Sequence, residues 1–362
     1  MEVKNYSPTR IKVIGVGGGG CNAVNRMFLD GIEGVEVYAV NTDGQHLHKL
    51  AVPNKVQIGE KATKGLGAGM KPEIGEDAAL ESIDRIKEIL RDTDMVFIAA
   101  GLGGGTGTGA APVIARTARE MGILTVAVVT LPFEFEGAKR MEIAHRGLEK
   151  LKECVDTYII IHNQKLADFG KTLTWKNAFA EVDNVLSRAV RGITNIISTS
   201  ADINVDFADV KTVMENGGLA LIGVGEGRGE NKIQTAVERA ITNPLLEGGT
   251  IDGARRLLIT LWVTESVSFA DAQEAIQSIS GRASNDPTII FGAIVEEGDE
   301  DRIKVTVVAT DFQKPQEERE EETTFRVIKK DTQEVRRVVP EEGIQPVEPE
   351  DMPAYLRRKR KI

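Results

Sequence analysis

A run of seven consecutive glycine and threonine residues, 103–109 (GGGTGTG), constrains this chain more than any other feature of its sequence. It lies between an apolar strand predicted at 95–100 and a helix predicted at 111–120. A plain turn needs one or two glycines, and every further glycine loses conformational freedom on folding. We therefore interpret the run as a loop whose backbone approaches an anion, with the hydroxyls of Thr106 and Thr108 as further donors.

Two other glycine-rich segments precede this run. Residues 15–22 (GVGGGGCN) follow the first predicted strand and contain the G-x-G-x-x-G spacing. Alone, that spacing fits either a tight strand-to-helix turn or a phosphate loop at a helix N-terminus. Residues 65–69 (GLGAG) either close over a terminal phosphate or form a surface loop. The G-x-x-x-x-G-K-[ST] pattern does not occur, which excludes a P-loop protein.

Apolar runs and helical periodicity alternate along the first half of the chain. Strands are predicted at 11–16, 35–40, 95–100, 124–130 and 158–161, with helices at 22–29 and 111–120. This alternation predicts a parallel sheet with helices on both faces. A long helix is predicted at 175–197, followed by a second segment with strands at 254–263 and 303–309 and a helix at 269–278.

Charge and cysteine content narrow the class of protein. The formal net charge of -10 argues against a nucleic-acid-binding surface. Two cysteines, far apart in sequence, cannot form a disulfide framework and indicate a reducing compartment. The polar start and the lack of an apolar run of about 18 residues predict a cytoplasmic protein without a membrane span.

Six motifs occur together and in order: GGGGCN, NTD, GLGAG, GGGTGTG, FEFEGAKR and NVDFADV. In these motifs the chain resembles the FtsZ family, the bacterial cell-division relatives of tubulin, over about residues 10–312 and the last dozen. The resemblance implies a Rossmann-like α/β GTPase domain (1–174), a central helix (175–200) and a smaller α+β activation domain (201–312). A flexible linker (313–349) and a partner-binding peptide (350–362) would follow. It also implies GTP and GDP as ligands, with Mg²⁺, and head-to-tail filaments that form a ring at the division site.

The resemblance also assigns the nucleotide contacts, residue by residue. The phosphates would be held by Gly18, Gly19, Gly20, Cys21, Asn22, Gly105, Thr106 and Gly107, with Asp43, Ala68 and Gly69 completing this side of the site. Glu136 would contact the ribose, Arg140, Asn163 and Asp183 the ribose or the guanine, and Phe179 would stack on the base. The family usually has glycine where this chain has Cys21, which would place a thiol beside the phosphates.

Without the resemblance, several of these residues have ordinary structural interpretations. Glu136 and Arg140, spaced i,i+4, are typical of a solvated helix pair, and Asp183 of a solvent-facing residue. A carboxylate only accepts hydrogen bonds, however, so an aspartate suits the N–H groups of guanine. Asn163 follows a predicted strand, where ligand contacts are common. His46 and His48 lack a matching ligand set, so we predict no protein metal site.

The NVDFADV motif supplies the candidate catalytic residues, Asn204, Asp206 and Asp209. The i,i+3 spacing of the two acids is also typical of a charge pair at a helix N-terminus. In the family they would position the attacking water on the GTP of a neighbouring subunit. The chain itself would thus be the main partner.

The last residues predict a second kind of partner. Met352, Pro353, Tyr355 and Leu356 form a small apolar group before a basic run, and the resemblance implies that they dock on membrane-tethering division proteins. A frayed terminus is the alternative.

Two other functions remain open. Asp43 lies where an NAD-dependent oxidoreductase would place its ribose-binding acid, although a second, denser phosphate loop counts against that enzyme. A nucleotide-binding scaffold that does not hydrolyse its ligand is the third possibility, and the intact Asp206 and Asp209 count against it.

Overall fold

The computed structural model describes residues 9–169, 174–198, 203, 205–242, 249–296, 298 and 301–312. All of these belong to one compact unit, Met1–Gln313. The candidate residue Asn204, the predicted linker and the predicted terminal peptide lie outside the described residues.

A parallel sheet dominates the first part of the chain, and its described strands number seven. In chain order they are β1 (Ile11–Val16), β2 (Val35–Asn41), β3 (Asn54–Gln57), β4 (Met95–Gly101), β5 (Leu124–Leu131), β6 (Thr157–His162) and β7 (Gly218–Leu219). Their spatial order is β3-β2-β1-β4-β5-β6-β7, and every adjacent pair is parallel. β1, β4 and β5 are apolar along almost their whole length because helices cover both faces of the sheet.

The helices of this part lie on both faces of the sheet. They are α1 (Gly17–Leu29), α2 (Gly44–Lys49), α3 (Glu60–Thr63), α4 (Pro72–Glu81), α5 (Ile83–Leu90), α6 (Thr106–Glu120), α7 (Ala138–Lys152) and α8 (Asn163–Phe169). One hydrophobic core joins one face of the sheet to α1, and a second joins the other face to α4, α5, α6 and α7. The predicted α/β architecture is thereby confirmed.

One long helix, α9 (Trp175–Ser198), follows and has 24 residues. Val182, Leu186, Val190 and Ile193 recur at helical spacing and are buried in the core that α1 shares with the first sheet. The same core includes Leu258 and other side chains of the second sheet, so α9 packs between the two sheets.

The second sheet is smaller and mixed. Its strands are β8 (Leu221–Arg228), β9 (Ala254–Thr264), β10 (Thr288–Glu296) and β11 (Arg302–Phe312), in the order β10-β9-β11-β8. Its helices are α10 (Phe207–Met214), α11 (Lys232–Ile241) and α12 (Phe269–Ser280). β9 pairs with β10 in parallel and with β11 in antiparallel fashion, which makes this a mixed sheet.

Two helices begin earlier than the sequence predicts. α1 starts at Gly17 and α6 at Thr106, so parts of both glycine-rich segments are helical. Glycine has poor helix propensity, but a Cβ at Gly20 would collide with the carbonyl oxygen of Ala99. Close packing against the sheet, rather than helix propensity, therefore requires glycine at position 20.

No helix among the residues that the structure describes combines the length and apolar character needed to cross a membrane.

Candidate nucleotide site

The glycine-rich loops 15–22 and 103–109 meet at the point of the first sheet where the strand connections change direction. β1 and β4 are neighbours, and the chain leaves β1 toward β2 on one side and β4 toward β5 on the other. Crevices at such a switch point, outside the carboxyl ends of parallel strands, are where open α/β sheets bind ligands. α1 follows β1 directly, and α6 begins soon after β4, so both helix N-termini open into this crevice.

The backbones of the two loops touch. A Cβ at Gly17 would lie 2.6 Å from the backbone nitrogen of Gly107, and Gly17 has a φ of +73°, which favours glycine. Gly18 and Gly104, in contrast, face open space within 4 Å of an added Cβ. No side chain caps the N-terminus of α1 or α6, so their first N–H groups are placed to bind an anion.

Threonine hydroxyls brace the glycine-rich loop 103–109. The hydroxyls of Thr106 and Thr42 lie 2.6 Å apart and both residues are buried. The Thr108 hydroxyl accepts a hydrogen bond from the backbone nitrogen of Gly103 at 2.9 Å, and Thr108 is also buried. The Thr108 hydroxyl therefore holds the loop together as an acceptor, and its donation to a phosphate stays a prediction. Thr42 was not predicted as a site residue, although its place in the NTD motif was the available signal.

The glycine-rich segment 65–69 lies beside the loop 103–109. The Gly44 nitrogen donates to the Gly65 carbonyl oxygen at 3.1 Å, and a Cβ at Gly105 would lie 2.7 Å from the Ala68 Cβ. Ala68 and Gly69 therefore flank the loop that contains Gly105. Asp43 caps α2 by accepting a hydrogen bond from the His46 nitrogen at 3.0 Å.

Glu136 and Arg140 flank the other side of the Gly103 loop. They form an ion pair at 2.9 Å, with the Glu136 side chain only 11% exposed, so the pair is not the solvated one that its spacing alone suggests. Glu136 also accepts from the Phe133 nitrogen at 2.8 Å. A Cβ at Gly103 would lie 2.8 Å from the Arg140 Cγ, which places this arginine against the loop. Phe179 packs edge-on against Phe133, with ring centroids 5.4 Å apart.

Asn163 and Asp183 are polar groups with unusual surroundings. Asn163 directly follows β6 and is 6% exposed, and its Oδ1 has no hydrogen-bond partner among the described residues. Burial raises the pKa of Asp183 to about 7, against the opposing charge of Arg26. The interpretation of Asp183 as a solvent-facing residue is therefore wrong. An unfilled buried acceptor and a desolvated carboxylate are suited to the N–H donors of a ligand.

The Cys21 thiol does not face the phosphate crevice. Its Sγ lies 3.4 Å from the carbonyl oxygens of Gly15 and Val40, and the side chain is fully buried in the core. Burial raises the pKa of this thiol to about 12. The expectation of a thiol beside the phosphates is therefore wrong, because the helical phase of α1 turns this position toward the sheet. Only the backbone of Cys21 remains available to a ligand.

Asp206 and Asp209 lie at the start of α10 and form a reciprocal capping box. The Asp209 nitrogen donates to Asp206 Oδ1 at 2.9 Å, and the Asp206 nitrogen donates to Asp209 Oδ2 at 3.2 Å. The other end of α10 contacts the beginning of β6, where the Thr157 hydroxyl donates to the Met214 carbonyl oxygen. α10 therefore lies by the amino edge of the first sheet, whereas the glycine loops lie at its carboxyl edge.

A doubly wound parallel sheet with paired phosphate loops, a long following helix and a mixed second sheet defines a nucleotide-binding protein of the tubulin type. The profile described as "Tubulin/FtsZ family, GTPase domain" matches residues 10–171, and "FtsZ family, C-terminal domain" matches residues 218–313. The cell division protein FtsZ of Aquifex aeolicus (strain VF5) is 61% identical over 361 residues, which cover 98% of each chain. The chain belongs to the FtsZ family.

Solved structures agree with this assignment. An empty FtsZ dimer from M. jannaschii has a TM-score of 0.77 and 46% identity, covering 84% of this chain and 89% of that one. CetZ2 from Haloferax volcanii, solved as a GTPγS-bound protofilament, has a TM-score of 0.73 at 20% identity over 89% of this chain and 100% of that one. At that identity the likeness concerns the fold alone.

Family membership makes this chain a polymerising GTPase of the cell-division type that binds GTP and GDP. Neither the NAD-dependent oxidoreductase nor the non-hydrolysing scaffold is favoured.

Proposed function

We propose that this GTPase hydrolyses GTP in an active site shared by two subunits of a head-to-tail filament. One subunit supplies the glycine loops, and the next supplies Asp206 and Asp209. The observation that carries the proposal is that these two parts lie at opposite edges of the first sheet. α9, which connects them in sequence, has 24 residues and is about 36 Å long. That a member of the family has been solved as a dimer supports self-association.

The first subunit binds and orients the nucleotide. The backbone N–H groups of Gly18, Gly19, Gly20, Cys21 and Asn22, and those of Gly105, Thr106 and Gly107, hold the phosphates, with Asp43, Ala68 and Gly69 alongside. The helix N-termini stabilise the negative charge that develops on the phosphate during transfer, which is the main demand of this reaction.

The base and ribose are bound on the side of the loop 103–109 that faces away from the segment 65–69. The Asn163 oxygen and the Asp183 carboxylate accept the N–H groups of guanine, and Glu136 and Arg140 contact the ribose. Phe179 stacks on the base. The buried, unpaired Asn163 Oδ1 supports this assignment, because a polar atom without a partner is costly unless a ligand satisfies it.

The second subunit orients the attacking water. Asp206 is exposed at the start of α10, and both acids hold each other through backbone N–H groups, which fixes their side chains on one face. Carboxylates held in this way can accept a hydrogen bond from water and direct its lone pair at the γ-phosphate. Asn204 belongs to the same proposal, although it lies outside the described residues.

Mg²⁺ is proposed to accompany GTP. The described residues contain no group of three or more His, Cys, Asp or Glu side chains placed to hold a metal ion. This fits Mg²⁺, which keeps several waters and takes most other ligands from phosphates. The ion would neutralise charge on the phosphates.

Asp206→Asn and Asp209→Asn test the shared site. Asparagine keeps an oxygen that accepts the capping hydrogen bond and removes only the charge, so α10 stays folded. We expect phosphate release by filaments to fall about 100-fold or more, as for loss of a catalytic base, while monomers keep their affinity for GTP. Asp84→Asn, which changes an exposed acid in the first turn of α5, is the control. Normal phosphate release by filaments of Asp209→Asn would refute the proposal.

We further propose that the terminal peptide brings filaments to the division site in the cytoplasm. Met352, Pro353, Tyr355 and Leu356 dock on membrane-tethering division proteins, and the basic run at 357–361 adds attraction to acidic partners. One peptide binds weakly, but a filament displays many copies and gains avidity.

A further inference from the structure

Three polar side chains form a continuous hydrogen-bonded chain from the end of β2 to the phosphate crevice. His46 Nδ1 lies 3.0 Å from Asn41 Nδ2, and His46 Nε2 lies 2.9 Å from Asn22 Oδ1. Asn41 is 3% exposed, and Asn22 is exposed on α1. His46, on α2, therefore connects a buried amide to an amide at the predicted nucleotide site.

Backbone donors determine the direction of both hydrogen bonds that join Asn41, His46 and Asn22. The nitrogens of Thr42 and Asp43 donate to Asn41 Oδ1, at 2.9 and 3.3 Å, so the NH₂ group of Asn41 must face His46. His46 Nδ1 must then accept, and the proton of the neutral ring must lie on Nε2. That N–H donates to the oxygen of Asn22.

The consequence falls on Asn22. Its oxygen is occupied by His46, and its side chain makes no other hydrogen bond among the described residues. Its NH₂ group therefore remains as a donor. Gly18 and Asn22 are spaced i,i+4 and share one face of α1, and Gly18 faces open space. A donor on this face is suited to an oxygen of the nucleotide.

We propose that His46 is a positioning residue of the GTP site, which holds Asn22 with its NH₂ group directed at the nucleotide. The inference rests on the proposed role of Asn22 as a nucleotide contact and adds the residue that orients it. Alone, an asparagine amide can turn its oxygen or its NH₂ toward a ligand, and an oxygen would repel a phosphate. His46 removes the unfavourable orientation before the nucleotide binds, which is preorganisation.

A double-mutant cycle on GTP affinity tests the proposal. We expect His46→Ala to weaken GTP binding by the monomer about 5- to 20-fold, and Asn22→Ala to weaken it at least as much. In the Asn22→Ala background, His46→Ala should add less than about twofold, because it then has nothing to orient. His46→Gln should restore most of the affinity, since glutamine carries both an acceptor and a donor.

The controls separate positioning from folding. His48→Ala changes an exposed histidine of the same helix and should leave GTP affinity unchanged. Thermal unfolding without nucleotide reports whether His46→Ala destabilises the folded chain. If it does, the GTP affinities of the His46→Gln and Asn22→Ala variants are compared instead.

Two results would overturn the proposal, and they differ. Suppose that Asn22→Ala weakens GTP binding, and that His46→Ala lowers the GTP affinity by the same factor in the wild type and in the Asn22→Ala variant. His46 then does not act through Asn22. If Asn22→Ala binds GTP normally, the proposed role of Asn22 fails first and the inference falls with it.

Discussion

The surroundings of Asp183 change the chemistry of its carboxyl group. Burial raises the pKa of this carboxyl to about 7, with Arg26 acting in the opposite direction. Burial therefore favours the protonated form of Asp183. The contribution of this protonated carboxyl to the free energy of unfolding is fully present at low pH and is lost as the pH rises through about 7. In the proposed site, guanine would need the ionised form of Asp183, which accepts two N–H groups, so nucleotide binding and protonation would compete.

This competition predicts the pH dependence of GTP binding. Below about pH 7 the affinity of the wild type should fall by up to about tenfold for each pH unit, because the proton must leave before guanine binds. Asp183→Asn should bind GTP more weakly at neutral pH, and its GTP affinity should lack the part of the pH dependence that comes from the Asp183 carboxyl. It also serves as the control, because it keeps the titration of the GTP phosphates themselves. Calorimetric titration at several pH values measures both; identical pH profiles for the two proteins would contradict the role of Asp183.

At the scale of elements, the phosphate crevice depends on how closely neighbouring segments approach each other. Gly105 at the start of α6 lies against the glycine-rich segment 65–69, and an added Cβ would lie 2.7 Å from the Ala68 Cβ and 3.0 Å from the Lys71 nitrogen. An added Cβ at Gly104, one residue earlier, would contact nothing within 4 Å. Neither residue has a positive φ, so sterics alone distinguishes them.

The pair Gly105→Ala and Gly104→Ala tests this packing. We expect Gly105→Ala to lower the free energy of unfolding by about 1–3 kcal/mol, as overpacking does, and to weaken GTP binding because the loops separate. Gly104→Ala should change the free energy of unfolding by less than about 0.5 kcal/mol. Urea unfolding without nucleotide measures both values. Equal effects on stability would show that the loops do not meet as described.

The elements that the sequence predicted share one property, which is a strong local pattern. β1, β4 and β5 are mostly apolar runs, because both faces of the sheet are covered, and α9 has a clear helical period. β8 was missed, since its LIGVGEGR sequence contains glycines where the backbone of α11 packs directly on the strand. Two of the glycine-rich motifs follow the carboxyl ends of β1 and β4, as predicted, and their contacts with a nucleotide stay a prediction.

Tertiary packing decides what local pattern cannot. The thiol of Cys21 points into the core because of the helical phase of α1, and Asp183 is desolvated because of the elements around α9. Neither follows from spacing along the chain. The hydrogen bonds of His46 were likewise invisible in sequence, because they join residues from three separate elements.

At the scale of the whole molecule, the terminal peptide should be separable from assembly. Deleting the residues after Glu350 should leave GTP hydrolysis and filament formation unchanged, because the glycine loops and α10 are untouched. Recruitment of filaments to vesicles that carry a membrane-tethering division protein should be lost. Replacing only Tyr355 and Leu356 by alanine is the matched control for chain length. Unchanged recruitment by both variants would contradict the docking role.

In a filament, the phosphate loops and the proposed catalytic acids of one chain would face different neighbours, and this is the central claim about the whole molecule. A head-to-tail contact repeats without closing, so each internal junction brings one nucleotide face to one α10. On this proposal, an isolated subunit would bind GTP but lack the acids of its neighbour.

The most direct test is GTP turnover per molecule as a function of protein concentration, with light scattering to locate the assembly threshold. The shared site predicts almost no turnover below the threshold, while GTP is already bound, and a steep rise above it toward a constant value per assembled subunit. Turnover per molecule that is the same below and above the threshold would mean that one subunit hydrolyses GTP alone, and it would contradict the account.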